Sequence, residues 1–291
     1  MLKRRLRLMI RRKLFRPNAV VALFAVLEDE RKVDVLEKIP LSILVWAAQM
    51  AVFHAVGLFF LCCDRLGWLS RYKVRRREPL TYREMLPRVL FNQIFILLPA
   101  MVALQYTGLA FIGVSHISIA HFVTAMLIMA IGHDIVQYVF HRFVLHRPNL
   151  IRRLGHSIHH STGASISISA CYMSPVDFFL EIALPYVIPL SLVSAGADRG
   201  FHILIASLGA IGGLYEHSGY DFAARLPKAD NGKLHLRPLV WLRTIVSSQA
   251  HGEHHRRSNV SFSDGFGSPG ICDTVFKTRW DLLKSGPTIG R

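Results

Sequence analysis

The sequence predicts an all-α integral membrane protein, with about four to five membrane segments arranged in hairpins and a histidine-rich cap on the cytoplasmic face. Three observations lead to this fold class. Hydrophobic residues make up 52% of the 291 residues, and the mean hydropathy is positive. Several apolar runs reach the roughly 20 residues that a helix needs to cross a bilayer. Nine of the 15 histidines follow the ends of such runs.

The charge distribution also favours a membrane protein. The chain has 35 Lys and Arg against 19 Asp and Glu, a net charge of +16. These basic residues lie in short segments beside apolar runs, which is typical of anchoring to anionic lipid. A nucleic-acid-binding protein would present them on a soluble face, so no nucleic acid is expected as a partner. The four cysteines form no C-x-x-C pair, so we expect no disulfide framework, zinc ribbon or iron–sulfur site.

The beginning of the chain is basic. Residues 1–16 carry eight Lys or Arg and no acid. We interpret residues 1–40 as a basic amphipathic arm on an anionic membrane, with a disordered basic tail as the alternative. Residues 41–291 are then one membrane domain.

Five apolar segments follow, at residues 41–63, 89–114, 117–140, 176–195 and 201–215. The links at residues 113–116 and 194–200 are short, which predicts two helical hairpins. The basic and polar stretches between the hairpins would lie on one face, the cytoplasmic one by the positive-inside rule. If the first segment crosses fully, the basic arm lies on the opposite side, so the side of the N-terminus stays open.

Two copies of the pattern H-x-x-H-H indicate a metal centre. They are His156-Ser157-Ile158-His159-His160 and His251-Gly252-Glu253-His254-His255. On a helix, positions i, i+3 and i+4 share one face. We therefore expect the three imidazoles of each triplet to aim at one point. Neutral imidazole is the commonest metal ligand in proteins.

Three further histidines join the candidate ligands. His141 and His146 are five residues apart, about 140° on an ideal helix, and would converge only if the helix ends near Leu145, as Pro148 favours. His217 follows the last apolar segment. A solvated surface position is the alternative for His146 and His217. The full candidate set is His141, His146, His156, His159, His160, His217, His251, His254 and His255. Nine imidazoles exceed the needs of one metal, and two metals with four or five nitrogens each would use all of them.

Two polar residues precede His141 on its own face. Asp134 and Tyr138 are candidates for holding the second N–H of a ligating histidine. A polar cap on a helix end is the alternative.

The ordered set of motifs resembles a known superfamily. The matching text is His141-Arg142…His146, His156…His159-His160, Tyr172-Met173-Ser174-Pro175, His217-Ser218-Gly219-Tyr220-Asp221, His251…His254-His255 and Asp273…Thr278. Over roughly residues 60–280 the chain resembles the fatty acid hydroxylase / sterol desaturase superfamily of membrane non-haem di-iron oxygenases. The sterol C4-methyl oxidase-like branch is the most similar.

The resemblance implies a function. In this superfamily the histidines bind two irons, O₂ is activated, and a C–H bond of a membrane lipid such as a sterol or fatty acyl chain is hydroxylated or desaturated in lipid biosynthesis. Electrons come from an external carrier, cytochrome b5-like or ferredoxin-like. The chain has no G-x-G-x-x-G fingerprint and no cysteine cluster, which agrees with an external electron donor.

Two alternatives from other classes remain. A zinc-dependent membrane hydrolase would need a general base beside the metal, and Glu253 is the candidate. The chain has no H-E-x-x-H motif, which disfavours this reading. A non-catalytic protein with a structural metal is the second alternative.

Overall fold

A computed structural model describes residues 38–229, 231–263 and 270–283. The chain divides into two units, residues 1–40 and 41–291, and the second is described here. The predicted basic arm falls almost entirely on residues 1–37, which lie outside the described residues, so it stays a prediction.

The described residues are helical, with one isolated β-bridge between Lys73 and Tyr220. The helices are α1 (Leu41–Leu66), α2 (Tyr82–Tyr106), α3 (Ile119–Leu145), α4 (His156–His159), α5 (Pro175–Leu192), α6 (Arg199–His217), α7 (Arg237–Val246), α8 (Gln249–Arg257) and α9 (Ile271–Val275). Four of them, α1, α2, α3 and α5, are long and apolar enough to cross a membrane. The predicted all-α membrane bundle is therefore confirmed.

The helix starts follow local sequence signals. Thr81 and Glu84 form a reciprocal capping box at the start of α2. At the starts of α3, α5 and α6, the side chains of Ser118, Ser174 and Asp198 each accept a backbone N–H three residues later. Such side chains satisfy amide groups that the first helical turn leaves unpaired.

The two hairpin tips lie together at one end of the bundle. The amide of Ala197 donates to the carbonyl of Val114 at 2.7 Å, and the amide of Ile117 donates to the carboxylate of Asp198 at 3.1 Å. Gly196 has a φ of +62°, and a Cβ there would lie 2.4 Å from the Val114 oxygen. Since both tips share one end, the segments that carry the histidine motifs all emerge at the other end, which we call the cap.

Polar groups within the spans pair between helices. His54 lies 3.1 Å from the Gln93 side chain, and Trp46 donates to the carbonyl of Gln93 at 2.9 Å. His121, near the start of α3, contacts the carbonyl of Val193, at the end of α5, at 3.1 Å. Interhelical hydrogen bonds of this kind satisfy polar groups where lipid offers no partner.

Three spanning helices contain a single π-helical turn. These turns are Gln93–Leu97 in α2, His141–Leu145 in α3 and Phe179–Ala183 in α5. Such turns are rare and occur often at functional sites. Here the turns of α3 and α5 carry His141 and Glu181, and both residues reach the histidine clusters of the cap.

Candidate metal centre

The nine candidate histidines form two adjoining clusters at the cap. Cluster A comprises His141, His146, His156, His160 and His254, and cluster B comprises His159, His217, His251 and His255. Within each cluster the facing side-chain nitrogens all lie within 4.8 Å of one another. The rings of His160 and His255 meet at the boundary, with centroids 4.9 Å apart. Each cluster can hold a metal ion.

The clusters cut across the H-x-x-H-H triplets, so the expectation that each triplet aims at one point was wrong. His156 and His160 belong to cluster A, whereas His159 belongs to cluster B. On a helix, i and i+4 are about 40° apart, but i+3 lies about 60° to the other side of i. The i+3 imidazole therefore serves a neighbouring site. In the second triplet the same division is reversed, since His254 alone joins cluster A.

A π turn brings the side chains of His141 and His146 together despite their spacing of five residues. The amide of His146 donates to the carbonyl of His141 at 2.9 Å. This is an i+5 hydrogen bond, which places the two residues on the same face of the helix. Their Nε2 atoms are 3.2 Å apart. The helix ends at Leu145, as Pro148 suggested, but the convergence comes from the π turn rather than from fraying. Neither His146 nor His217 is a solvated surface residue, because His217 is buried and His146 is half-buried.

The second ring nitrogen of several histidines is fixed from outside the cluster. The carbonyls of Phe262 and Val260 accept from Nδ1 of His141 and His254 at 2.8 and 2.7 Å. Because a carbonyl can only accept, Nδ1 carries the proton and Nε2 of a neutral ring is left with its lone pair. Nδ1 of His217 similarly lies 3.0 Å from the hydroxyl of Ser169.

The Nε2 atoms of cluster A are spaced as ligands of one ion. Each of the six close pairs measures 3.0 to 3.2 Å. Nitrogens at right angles about 2.1 Å from a shared metal would be about 3.0 Å apart. Lone pairs that face one another at this distance repel unless a cation lies between them. The donor set of cluster A therefore fits a bound metal ion.

The histidines of cluster B are also close enough together to bind one metal ion. Its ring centroids are 4.1 to 4.9 Å apart between neighbours such as His217 with His251 and His159 with His217. The Nε2 atoms of His159 and His255 are buried and have no hydrogen-bond partner. A buried polar atom without a partner is costly and rare in native proteins, so these atoms also fit a ligand position.

Burial keeps most of these imidazoles neutral. Burial lowers the pKa of His159 to about 4 and that of His254 to about 3, and it lowers the pKa of His217 and His255 well below 6.5. A neutral ring is the form that binds a metal. The pKa of His156 is the exception, because it is raised and not lowered. Burial opposes its charged form, but the carboxylates of Glu181 and Asp177 raise its pKa to about 10.

Two carboxylates that the sequence interpretation left unused lie at the centre. Asp177 accepts from Nδ1 of His156 at 2.9 Å. Glu181 lies between the clusters, with Oε1 3.7 Å from Nε2 of His141 and 3.9 Å from Nε2 of His159. Both acids are buried in α5, within an apolar segment. Ionisable residues inside a membrane segment usually mark function, and this signal could have identified them.

Asp134 pairs with backbone amides instead of the second N–H of a ligating histidine, so that expectation was wrong. Its carboxylate accepts the backbone amides of Ile271 and Cys272, each at 2.8 Å, and so caps α9. Tyr138 contacts the hydroxyl of Thr278 at 3.3 Å and accepts from Arg142. Both residues dock the C-terminal segment onto α3. The helix-cap alternative is the one that the structure supports.

Asp273 anchors the loop at residues 260–263, whose carbonyls orient two histidines of cluster A. Its carboxylate accepts the amides of Phe262 and Ser263 at 3.0 and 2.7 Å, and the hydroxyl of Thr278 at 2.5 Å. The same loop supplies the Phe262 carbonyl that holds His141. The Asp273…Thr278 motif therefore acts on the histidines through the loop.

Arg75 plays a corresponding part for cluster B. Its guanidinium donates to the carbonyls of Ala164 at 2.9 Å and Ser248 at 3.0 Å, and also to that of Glu216. Glu216 precedes His217, and Ser248 begins the turn that carries His251. Gly252 lies against the same guanidinium, since a Cβ there would be 2.6 Å from Nη1. Arg75 thus ties together the backbone segments that position cluster B.

A cavity of about 600 Å³ opens onto cluster B and extends between the spanning helices. Its cap end is formed by His159, His217, His251 and Glu181. Deeper in the bundle, its walls are largely apolar, with Phe53 of α1 and Met101 of α2. Small residues on α6, including Ala206 and Ala210, leave the space open. The volume is typical of a small-molecule site.

Comparison with known proteins assigns the chain to a family. Residues 126–278, slightly more than half of the chain, match the family model "Fatty acid hydroxylase". The fatty acid hydroxylase ahd1 of Mycosarcoma maydis is 24% identical over 245 residues, which is 81% of this chain and 56% of that protein. The chain thus spans a little over half the length of this curated relative. No solved structure matches the chain. All nine clustered histidines fall inside the matched region, and the chain belongs to the fatty acid hydroxylase family, as the motifs predicted.

Proposed function

We propose that this protein is a membrane-bound di-iron oxygenase that uses O₂ to hydroxylate a lipid, a sterol or a fatty acyl chain, in lipid biosynthesis. One observation carries the proposal. Two clusters of buried or half-buried imidazoles adjoin one another, and cluster B opens directly onto an apolar cavity inside the membrane-spanning bundle. Imidazole suits iron among other metals, and the apolar cavity suits a lipid.

The residues of the chain would divide the work. Cluster A and cluster B would hold one ion each, and Glu181 would offer a carboxylate ligand, because it is close to nitrogens of both clusters. The carbonyls of Phe262 and Val260 keep two ligands in the metal-binding tautomer. Iron, when bound, would supply the activation of O₂. Glu181 would also add the carboxylate that soluble non-haem iron sites usually contain.

The cavity would select and place the substrate. Its apolar walls exclude water from the cap end, and this protects a reactive centre from side reactions. Because cluster B forms that end, a lipid in the cavity would present a carbon to it. The substrate would enter from the bilayer.

The cap would face the cytoplasm and receive electrons there. The hairpin tips at residues 107–118 and 193–198 carry no Lys or Arg, whereas the cap exposes several arginines, among them Arg71, Arg76, Arg147 and Arg152. Such an asymmetry is typical of a cytoplasmic face. The same arginines would suit an acidic electron carrier of the cytochrome b5 or ferredoxin class.

The zinc hydrolase alternative loses its candidate base. Glu253 pairs with Arg256 at 2.5 Å and with Arg257 at 3.9 Å, and it is not one of the acids grouped with the histidines. A hydrolase would need a general base beside a metal-bound water, and Glu253 is not in that position.

The test is turnover with isotopically labelled O₂. The full chain in nanodiscs of native lipid extract would be supplied with a ferredoxin, its reductase, NADPH and ¹⁸O₂, and the lipids analysed by mass spectrometry. We expect a lipid that gains one ¹⁸O atom, or one that loses two hydrogens if the reaction is desaturation. Products that arise equally without O₂, with oxygen taken from water, would overturn the proposal in favour of a hydrolase.

A further inference from the structure

The cavity described above carries unpaired polar groups where a plain hydrocarbon chain would offer no partner. The hydroxyl of Tyr186 and the side-chain carbonyl oxygen of Gln49 are buried and have no hydrogen-bond partner. Both residues line the cavity, Tyr186 from α5 and Gln49 from α1. Buried polar groups in native proteins are nearly always paired. Two unpaired groups in one cavity therefore point to a ligand that pairs with them.

These groups lie away from the metal clusters. Tyr186 is five residues beyond Glu181 on α5, a rise of about 7.5 Å at 1.5 Å per residue. His133 lines the cavity as well, eight residues or about 12 Å along α3 from His141. The cavity thus has a metal end at the cap and a polar region deeper in the membrane, separated by the length of several methylene groups.

The two atoms define the missing partner. The Tyr186 hydroxyl can donate, and the Gln49 carbonyl oxygen can only accept. An alcohol both donates and accepts, whereas a methylene chain does neither. We propose that the substrate of this enzyme is a lipid with a hydroxyl group remote from the carbon that is oxidised, and that Tyr186 and Gln49 recognise this hydroxyl. The inference rests on the proposed function only in calling the ligand a substrate.

The binding test uses pairs of lipids that differ in one hydroxyl. Methyl 12-hydroxystearate is compared with methyl stearate, and cholesterol with cholestane, by equilibrium binding to the full metal-loaded chain in nanodiscs. The first pair represents an acyl ligand and the second a sterol ligand. We expect the hydroxylated member of at least one pair to bind at least tenfold more tightly than its partner. Equal affinities within both pairs, as expected if water alone pairs with Tyr186 and Gln49, would overturn the proposal.

Two variants assign the preference to these residues. In Tyr186→Phe and Gln49→Leu we expect the tenfold preference to fall to threefold or less, with the metal content unchanged. Tyr106→Phe is the matched control, because Tyr106 is 86% exposed and outside the cavity. A preference that survives both variants would contradict the assignment.

This experiment separates the inference from the proposed function. Binding is measured without turnover, so a hydroxyl preference can be present in a protein that never oxidises the lipid. Conversely, oxidation of lipids without any hydroxyl preference would support the oxygenase and remove the alcohol as its recognised group.

Discussion

His156 and His159 lie three residues apart on one short helix, yet their imidazoles belong to different clusters. His254 and His255, adjacent in the second triplet, are divided in the same way. Each triplet therefore contributes to both clusters. A displacement of α4 or α8 would therefore move ligands of both clusters at the same time.

The contact of Asp177 with His156 predicts a specific loss of metal affinity. A carboxylate that accepts the second N–H of a ligand fixes its tautomer and strengthens it as a donor. We expect Asp177→Asn to weaken metal binding at cluster A by about 10- to 100-fold. A metal titration with a competing chelator measures the change.

The matched control for that variant is Asp281→Asn. Asp281 pairs with Arg279 at the surface, 2.6 Å away, and exposed ion pairs contribute little. Equal metal affinity in the Asp177→Asn and Asp281→Asn proteins would show that the Asp177 contact has no role in metal binding.

Arg75 and Gly252 predict a stability effect near cluster B. Removal of the guanidinium in Arg75→Ala takes the Arg75 donor away from the carbonyls of Ala164 and Ser248. A buried group left unpaired costs roughly 1 to 3 kcal/mol, so we expect this variant to unfold at a clearly lower temperature in detergent. Gly252→Ala should act in the same direction, because its Cβ would collide with the guanidinium.

A comparison of two glycine variants isolates this contact. Gly212→Ala places a methyl group where no heavy atom lies within 4 Å, and Ala has the higher helix propensity by about 1 kcal/mol. We expect Gly212→Ala to melt at or slightly above the wild-type temperature. If Gly252→Ala has the same melting temperature as Gly212→Ala, the contact of Gly252 with Arg75 does not stabilise the segments that carry cluster B.

The cavity predicts that its width controls turnover without affecting the metals. Ala210 is buried and lines the cavity on α6. We expect Ala210→Phe to reduce lipid oxidation by at least tenfold while the metal content stays at the wild-type level. Lipid oxidation and metal content are measured on the same preparation.

The control is Leu204→Phe, which introduces the same side chain at a residue of α6 that is 40% exposed and does not line the cavity. Full activity in Ala210→Phe would mean that the substrate does not occupy this space.

The membrane topology of the described residues was largely predictable from the sequence. The apolar runs and their short links are enough to define hairpins, because only helices satisfy every backbone group in lipid. Several boundaries moved, and the second segment, predicted at residues 89–114, is α2 at Tyr82–Tyr106. The predicted third segment stopped at Phe140, whereas α3 continues to Leu145 through its π turn. Sequence periodicity assumes 3.6 residues per turn and cannot anticipate that change.

The composition of the histidine set was also predictable, but its division was not. Six of the nine residues follow from the spacing of the two triplets, and the other three from their positions at the ends of apolar segments. Their assignment to two clusters depends on how α3, α4, α6 and α8 approach one another. Asp177 and Glu181 were missed because their segment was interpreted only as a membrane span. Asp134 was misassigned because a shared helix face does not reveal that its carboxylate pairs with the amides of α9.

Metal analysis of variants chosen across the triplets tests the central claim most directly. We expect about two irons per chain in the wild-type protein purified without added metal, and the same content in His235→Ala, an exposed histidine outside both clusters. The spectrum of the iron that remains bound should be alike in His156→Ala and His254→Ala. It should also be alike in His159→Ala and His255→Ala, and differ between these two pairs. Grouping by triplet instead, or zinc at one per chain, would contradict the account of two interleaved iron sites.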